Sequence, residues 1–447
     1  MDPERAQTAQ LSAGPPGDRR TGLRRTFAAL AVRNFRLYFA GQAVSLVGTW
    51  MQSVAQGWLV LELSHSGTVL GLVVAAQFLP VLLLGPYGGL IADRVNKRTL
   101  LLCTQTVLGT LALILGLLTL THAVRLWMVF LLAAALGTVN ATDNPTRQTF
   151  VHEMVGAERL TNAVTLNTVM VNASRAVGPA VAGILIATAG TAVCFLANAG
   201  SFAAVLVALS LIRTADLCQA PLVAREPGQL RAGFRYVRRT RALLIPLLMM
   251  ALVGTLAYEF QVVLPLLARI SLHGGATTYG FLTSAMGAGA VAGGLVVAGL
   301  PPPAPRRLAV AAAAFGVAIT AAALVPGFPA ELAALACVGA CSTAFLSTAN
   351  ATLQLASEPR FRGRVMALYS VTFLGSTPVG GPLVGLVGQY LNPRYALGLG
   401  ALACLAAAGL GLALLRRPAP AQRLAASGQP ASAEEQVIPG GPPEPGS

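Results

Sequence analysis

Runs of about 20 consecutive apolar residues recur along this chain, and no other feature limits its fold as tightly. A bilayer core about 30 Å thick asks for that length in each crossing helix, because it holds no water to satisfy a free backbone N–H or C=O. Twelve such runs are legible, from 35–61 at the start to 395–415 at the end, and an Arg-rich stretch divides them six and six. Only 11% of the residues are charged, and most of these collect in the connections. The expectation is an all-α polytopic membrane protein of two pseudo-symmetric six-helix bundles. Its parts are an N-terminal segment 1–34, a first bundle 35–212, a linker 213–241, a second bundle 242–415 and a disordered tail 416–447.

A net charge of +15 would suggest nucleic acid as the partner of a soluble chain. Here the cations sit on alternate connections, as the positive-inside rule demands, so the partner is the lipid bilayer and nucleic acid is not expected. With both termini in the cytoplasm, only Arg125, Arg269 and Arg394 fall on the opposite side, and Arg175 is left inside a helix. The polar first residues are not a cleavable signal, so the first span must start insertion. Within the linker, Leu230, Phe234 and Val237 alternate with Arg231, Arg235, Arg238 and Arg239 at helical spacing, which predicts a short amphipathic helix on the anionic leaflet.

The halves echo each other at a separation of roughly 200 residues, the mark of a duplicated transporter fold. Leu166, Gly178 and Gly183 of the fifth span recur as Leu368, Gly380 and Gly385 of the eleventh. Gly88, Gly89 and Leu90 of the second recur as Gly293, Gly294 and Leu295 of the eighth.

Polar residues inside the spans are the candidates for transport. The first span carries Gln42, Ser45, Thr49, Gln52 and Gln56 on one helical face, and the fifth carries Thr161, Thr165, Thr168, Asn172 and Arg175. Either stripe could line a wet cavity or hydrogen-bond neighbouring helices together. Arg175 lies roughly 20 Å into its helix at 1.5 Å per residue, and Glu259 roughly 24 Å into the seventh. Charges at that depth must be paired, hydrated or functional. Glu259 could exchange protons as water access alternates, with Asp143, just past the fourth span, as the second candidate. His65, His122, His152 and His273 are isolated, and the six cysteines (Cys103, Cys194, Cys218, Cys337, Cys341 and Cys404) have no ligand spacing, so no metal or cofactor is expected.

The stretch Gly89-Leu90-Ile91-Ala92-Asp93-Arg94-Val95-Asn96-Lys97-Arg98 resembles the loop 2-3 hallmark of the major facilitator superfamily, G-x-L-x-D-R-x-G-R-K. Ile91 and Asn96 depart from it. Asn tolerates the left-handed backbone that the replaced glycine would take, so the turn is expected to survive, with Asp93 accepting from the free amides of the third helix. Gly48-Thr49-Trp50-Met51-Gln52, Gly57-Trp58-Leu59, Asp143-Asn144-Pro145-Thr146-Arg147-Gln148 and Gly233-Phe234-Arg235-Tyr236-Val237 are similar to the enterobactin-exporter-like branch.

The resemblance implies a secondary active transporter of the bacterial inner membrane, not an enzyme. It would be a proton-coupled exporter of small amphipathic molecules such as a siderophore, drug or metabolite, acting as a monomer with protons as its second partner. It also implies that Gly89, Asp93, Arg94 and Arg98 latch the cytoplasmic side shut against the eleventh span. An importer or uniporter of the same fold is the alternative; a lipid-modifying membrane enzyme, lacking any convergent catalytic cluster, is remote.

Overall fold

A computed structural model describes residues 27–218, 229–300, 305–358 and 361–415. The N-terminal 1–26, part of the linker and the tail from 416 lie outside the described residues, and so do the side chains of Gly89, Leu90, Asp93, Leu230 and Arg231. The first bundle is built from α1 (Arg33–Ser64), α2 (Gly67–Arg94), α3 (Lys97–Leu120), α4 (Leu126–Gly156), α5 (Glu158–Ala189) and α6 (Thr191–Ser210). The linker contributes α7 (Gln229–Arg239). The second bundle follows with α8 (Arg241–Ala257), α9 (Phe260–Leu266), α10 (Ala276–Ala298), α11 (Pro305–Leu324), α12 (Phe328–Ala356), α13 (Arg362–Leu374), α14 (Thr377–Tyr390) and α15 (Pro393–Leu415).

Eleven described spans are long and apolar enough to cross a membrane. The twelfth is α1, 32 residues long, whose row of Ser, Thr and Gln dilutes its hydropathy without shortening it. The seventh span is α8 and α9 in series with a π turn at Leu267–Ser271, and the eleventh is α13 and α14 in series. The fourth runs well past the predicted end at 142, to Gly156. Asp143 is therefore inside a helix and not in a connection, and the charge that ended the hydropathy run is neutralised by Arg147 one turn on. At Gly156 the backbone takes φ +68, and this residue alone lets α4 turn into α5.

The echoed glycines make matching contacts in the two bundles. Gly178 of α5 lies on Val47 and Trp50 of α1, while Gly380 of α14 lies on Thr255 of α8, the first helix of its own bundle. Gly88 of α2 presses on Ala141 of α4 as Gly293 of α10 presses on Ala340 of α12. Gly183 meets Thr277 and Gly280 of α10, and Gly385 meets Gly67 of α2; these two contacts cross between bundles in opposite directions. Without a hydrophobic drive in lipid, close backbone approach of this kind holds spans together.

Arg238 rests 5.9 Å from the exposed ring of Phe234 on α7. Val237 is buried against Leu243, Leu353 and Val365, and Tyr236 stacks on Phe361 at 4.4 Å. Three histidines take left-handed φ near +50: His65, which caps α1, His122 and His273, all in turns at the end of the bundle opposite the linker. His is enriched in that conformation, which gives these residues a turn-forming role.

Candidate functional site

The bundles are sealed together at the end far from the linker. Gln389 of α14 places one oxygen, Oε1, where the Ser66 hydroxyl (2.6 Å), the Thr68 hydroxyl (3.0 Å) and the Thr68 amide (3.1 Å) all donate to it. Ser66 also caps α2, so the start of that helix is fastened to the other bundle. Arg269 donates to the carbonyl of Leu61 at the end of α1 (2.8 Å), and Thr277 donates to that of Gly183 (3.0 Å). Below these bonds Gly71 touches Gly381, and Gly287 approaches the carbonyl of Arg175. Of these residues the sequence marks Arg175, the echoed Gly183, and Arg269 as one of three cations on the cation-poor side. The hub of Gln389, Ser66 and Thr68 carries no such mark.

Toward the linker the same faces part. Leu82 still meets Gly375, but a Cβ placed on Gly85, one turn further along α2, would meet no other helix within 4 Å among the described residues. On α5 the face that seals at Pro179 and Gly183 becomes exposed at Thr168 and Thr165 and half-exposed at Asn172. A crevice therefore opens at the linker end and closes at mid-depth.

The two stripes fare differently. Thr168 and Asn172 lie on the open face, each bonded only to its own helix's carbonyl one turn back (2.9 and 3.0 Å). On α1, Thr49 is exposed, whereas Gln52 turns to α6 and accepts from Asn198 Nδ2 at 2.6 Å. The expectation that Gln52 lines the cavity is corrected: it sits beside Gly48, whose closeness to Asn198 and Ser201 brings α6 within reach. Gln42 accepts from Arg147 (3.3 Å). Gln56 donates to Gln77 (3.3 Å) and lines a small cavity with Ser53, Gly57 and Gln261 between α1, α2 and α9.

Two opposite charges sit unpaired at mid-depth, one in each bundle. Arg175 lies over the ring of Trp50, 5.5 Å from its centroid, and its Nε is buried without a hydrogen-bond partner. Glu259 stands where the seventh span breaks between α8 and α9, only 4% exposed. Its carboxyl points at Gly380 and Gly381, with the Thr377 hydroxyl beside it and Oε1 unbonded. The eleventh span breaks at the same level, at Gly375 and Ser376, so two discontinuous helices meet around this carboxyl. Neither charge has an ion-pair partner among the described residues.

Asp143, by contrast, has hydrogen bonds at one oxygen and an ion pair at the other. Thr104 and Gln105 donate to Oδ1 at 2.6 and 2.8 Å, and Arg147 pairs with Oδ2 at 2.8 Å.

At the inner end of α2, Asn96 has φ −56, not the expected left-handed value. Asn96 itself, and not Asp93, caps α3, accepting from the Thr99 amide at 3.1 Å. A cap residue lies outside the preceding helix, and α2 carries Asp93 in its last turn. Arg98 donates to the carbonyls of Leu209 and Ser210 at the end of α6 (2.8 and 2.9 Å), and Lys97 pairs with Glu153 at 2.6 Å. Arg94 is exposed, and the side chains of Gly89 and Asp93 are among those not described. In this state the basic pair serves its own bundle.

Comparison with known proteins agrees with this architecture. Residues 24–437 match the sequence family described as transmembrane secretion effector. The staphyloferrin A transporter of Staphylococcus aureus is 30% identical over 178 residues, 39% of this chain and 45% of that protein. The enterobactin exporter EntS of Shigella boydii is 27% identical over 393 residues, 85% of this chain and 89% of that protein. The chain thus spans under half the length of the first relative and most of the second. Among solved structures, a bacterial homologue of the human lysosomal transporter Spinster, inward-facing and occupied, superposes with TM-score 0.67 at 15% identity, covering 86% of this chain and 98% of that one. A POT family transporter in complex with 5-aminolevulinic acid gives 0.72 at 11%, covering 86% and 96%. At these identities the structures speak for the fold alone.

Proposed function

The chain belongs to the transmembrane secretion effector family of the major facilitator superfamily, and from that membership we propose that it exports small amphipathic molecules in exchange for protons, by alternating access. One observation carries the reading: the bundles are sealed at one end and parted at the other, with an unpaired Arg175 and an unpaired Glu259 at the depth where the crevice ends. Two rigid bodies that rock about such a point expose it first to one side and then to the other.

The cation distribution puts the linker end in the cytoplasm, which makes the described state inward-open, with both termini inside. Cargo enters from the cytoplasm past Thr49, Thr168 and Asn172. Glu259 carries the proton, because it has no fixed counter-charge among the described residues, while Asp143 is already committed to Arg147, Thr104 and Gln105. When the linker end shuts, Gly89, Asp93 and Arg94 latch α2 to the eleventh span. Arg98 supports that latch from within its own bundle, by tying α3 to α6. One chain contains both bundles (35–212 and 242–415) and the whole crevice, so the monomer is the working unit. The names of the enterobactin exporter and the staphyloferrin A transporter support a siderophore as one member of the cargo class.

Thiol labelling tests the alternation. In a background without the six native cysteines, Thr168→Cys and Asn172→Cys are expected to react with a membrane-impermeant maleimide from the linker side and to become protected when the far end opens. Gln52→Cys stays protected throughout. Equal labelling of Thr168→Cys and Asn172→Cys under every condition would sink the alternating-access reading.

A further inference from the structure

The geometry points to the apex of the crevice as an anion site, so we propose that the exported molecule is an amphipathic organic anion whose charged group docks on Arg175. The proposal rests on the transporter reading above and names the cargo class for the same crevice. Its basis is the contrast with four other half-buried arginines in or beside the spans. Arg147 pairs with Asp143, Arg394 with Glu331 at 3.6 Å, Arg98 with the end of α6, and Arg269 with the carbonyl of Leu61. Each spends its donors on protein oxygens. Arg175, at mid-depth, donates to none among the described residues.

No neighbour is placed to correct that. Trp50 covers one face of the guanidinium, an arrangement that steadies the cation, and the buried Nε is left without a partner. Tyr258 is within electrostatic reach, but its hydroxyl donates to the Ser342 carbonyl at 2.8 Å, so it remains neutral there. The Glu259 carboxyl turns the other way, toward α14. A planar guanidinium whose donors are not spent on protein oxygens suits an oxyanion that accepts two parallel hydrogen bonds, and a carboxylate or sulfonate fits that fork. A cationic cargo would meet an uncompensated like charge at this depth. The apolar part of the cargo rests near Leu82 and Phe373, where the other seam between bundles ends.

Equilibrium binding to the purified protein in detergent tests this without any gradient or direction of transport. A failure here is thereby distinguishable from a failure of the export reading. Isothermal titration calorimetry reads the affinity of small naphthyl probes directly. Three probes share one ring system: naphthalene-1-sulfonate, permanently anionic; naphthalene-1-sulfonamide, neutral; and 1-naphthylmethylammonium, cationic. The sulfonate is expected to bind at least tenfold tighter than the sulfonamide, with the ammonium weakest. Arg175→Gln should bring the sulfonate to the sulfonamide's affinity and leave the sulfonamide unchanged. Arg175→Lys, which keeps the charge and loses the fork, should fall between. Equal affinity for the three probes, or sulfonate binding by Arg175→Gln at the wild-type level, overturns the assignment. Should Arg175→Gln fail to fold, the order of the three probes on the parent protein still decides.

Discussion

Glu259→Gln is expected to abolish export driven by a pH gradient while leaving cargo exchange across the membrane near the parent rate. Gln keeps the volume and the hydrogen-bonding reach of the side chain, so the packing against Gly380 and Gly381 and the neighbouring Thr377 are preserved. What it removes is the ability to bind and release a proton. In a coupled antiporter the empty return step is gated by that proton, whereas exchange of labelled for unlabelled cargo needs only the loaded step. Net export should fall by two orders of magnitude or more, with exchange altered less than threefold. Loss of both activities together would instead make Glu259 a structural residue of the helix break. Retention of both would move the proton to Asp143, despite its three partners.

The second large effect separates the gate from the scaffold, using one substitution at two glycines. A side chain at Gly71 would run into the carbonyl of Gly381 across the bundle seam, and one at Gly289 into the carbonyl of Ala336 within the second bundle. Overpacking of this kind typically costs about 1–3 kcal/mol, sometimes more. At Gly71 the molecule has an escape, since opening the far end relieves the clash, and each 1.4 kcal/mol shifts the equilibrium about tenfold. Gly71→Leu should therefore stay folded, favour the far-end-open state, protect Thr168→Cys from labelling and slow transport at least tenfold. Gly289→Leu has no alternative state to enter, and loss of folded protein in size-exclusion chromatography is the expected result. Equal behaviour of the two variants would remove the distinction between a mobile seam and a fixed one.

Much of this architecture is legible in the sequence because its causes are local. Hydropathy marks the spans, and the echo of Gly178 and Gly183 in Gly380 and Gly385 anticipates matching contacts that the fold then shows. Polar periodicity on α1 identifies a real stripe but not its direction. Residues 42, 49 and 56 recur one heptad apart and share the central face, while Ser45 and Gln52 lie offset toward α6. Hydropathy also stops the fourth span at Asp143, because it scores a charge without seeing the arginine that pairs with it.

The break between α13 and α14 has a signal, Gly375-Ser376-Thr377-Pro378, that apolar run length obscures. The Gln389 hub is different in kind. Its partners Ser66 and Thr68 are more than 300 residues away, and no local pattern encodes that meeting. Asn96 is a case where a substitution within a hallmark motif changes the local mechanism, since it brings its own capping oxygen.

Transport of naphthalene-1-sulfonate into sealed vesicles tests the central claim most directly, because this probe neither titrates nor crosses lipid as a neutral acid. Vesicles are prepared with the linker end facing the bath and with an acidic lumen, so that protons run outward through the protein. Exchange of one proton for one monoanion then moves two positive charges in the same direction, and a transmembrane potential adds about 2.3 kcal/mol per charge per 100 mV. The expected result is accumulation of the sulfonate in the acidic lumen, acceleration by a lumen-positive potential, collapse with a protonophore and absence in Glu259→Gln. Accumulation that ignores the gradient, or that appears only when the lumen is made alkaline, would contradict it.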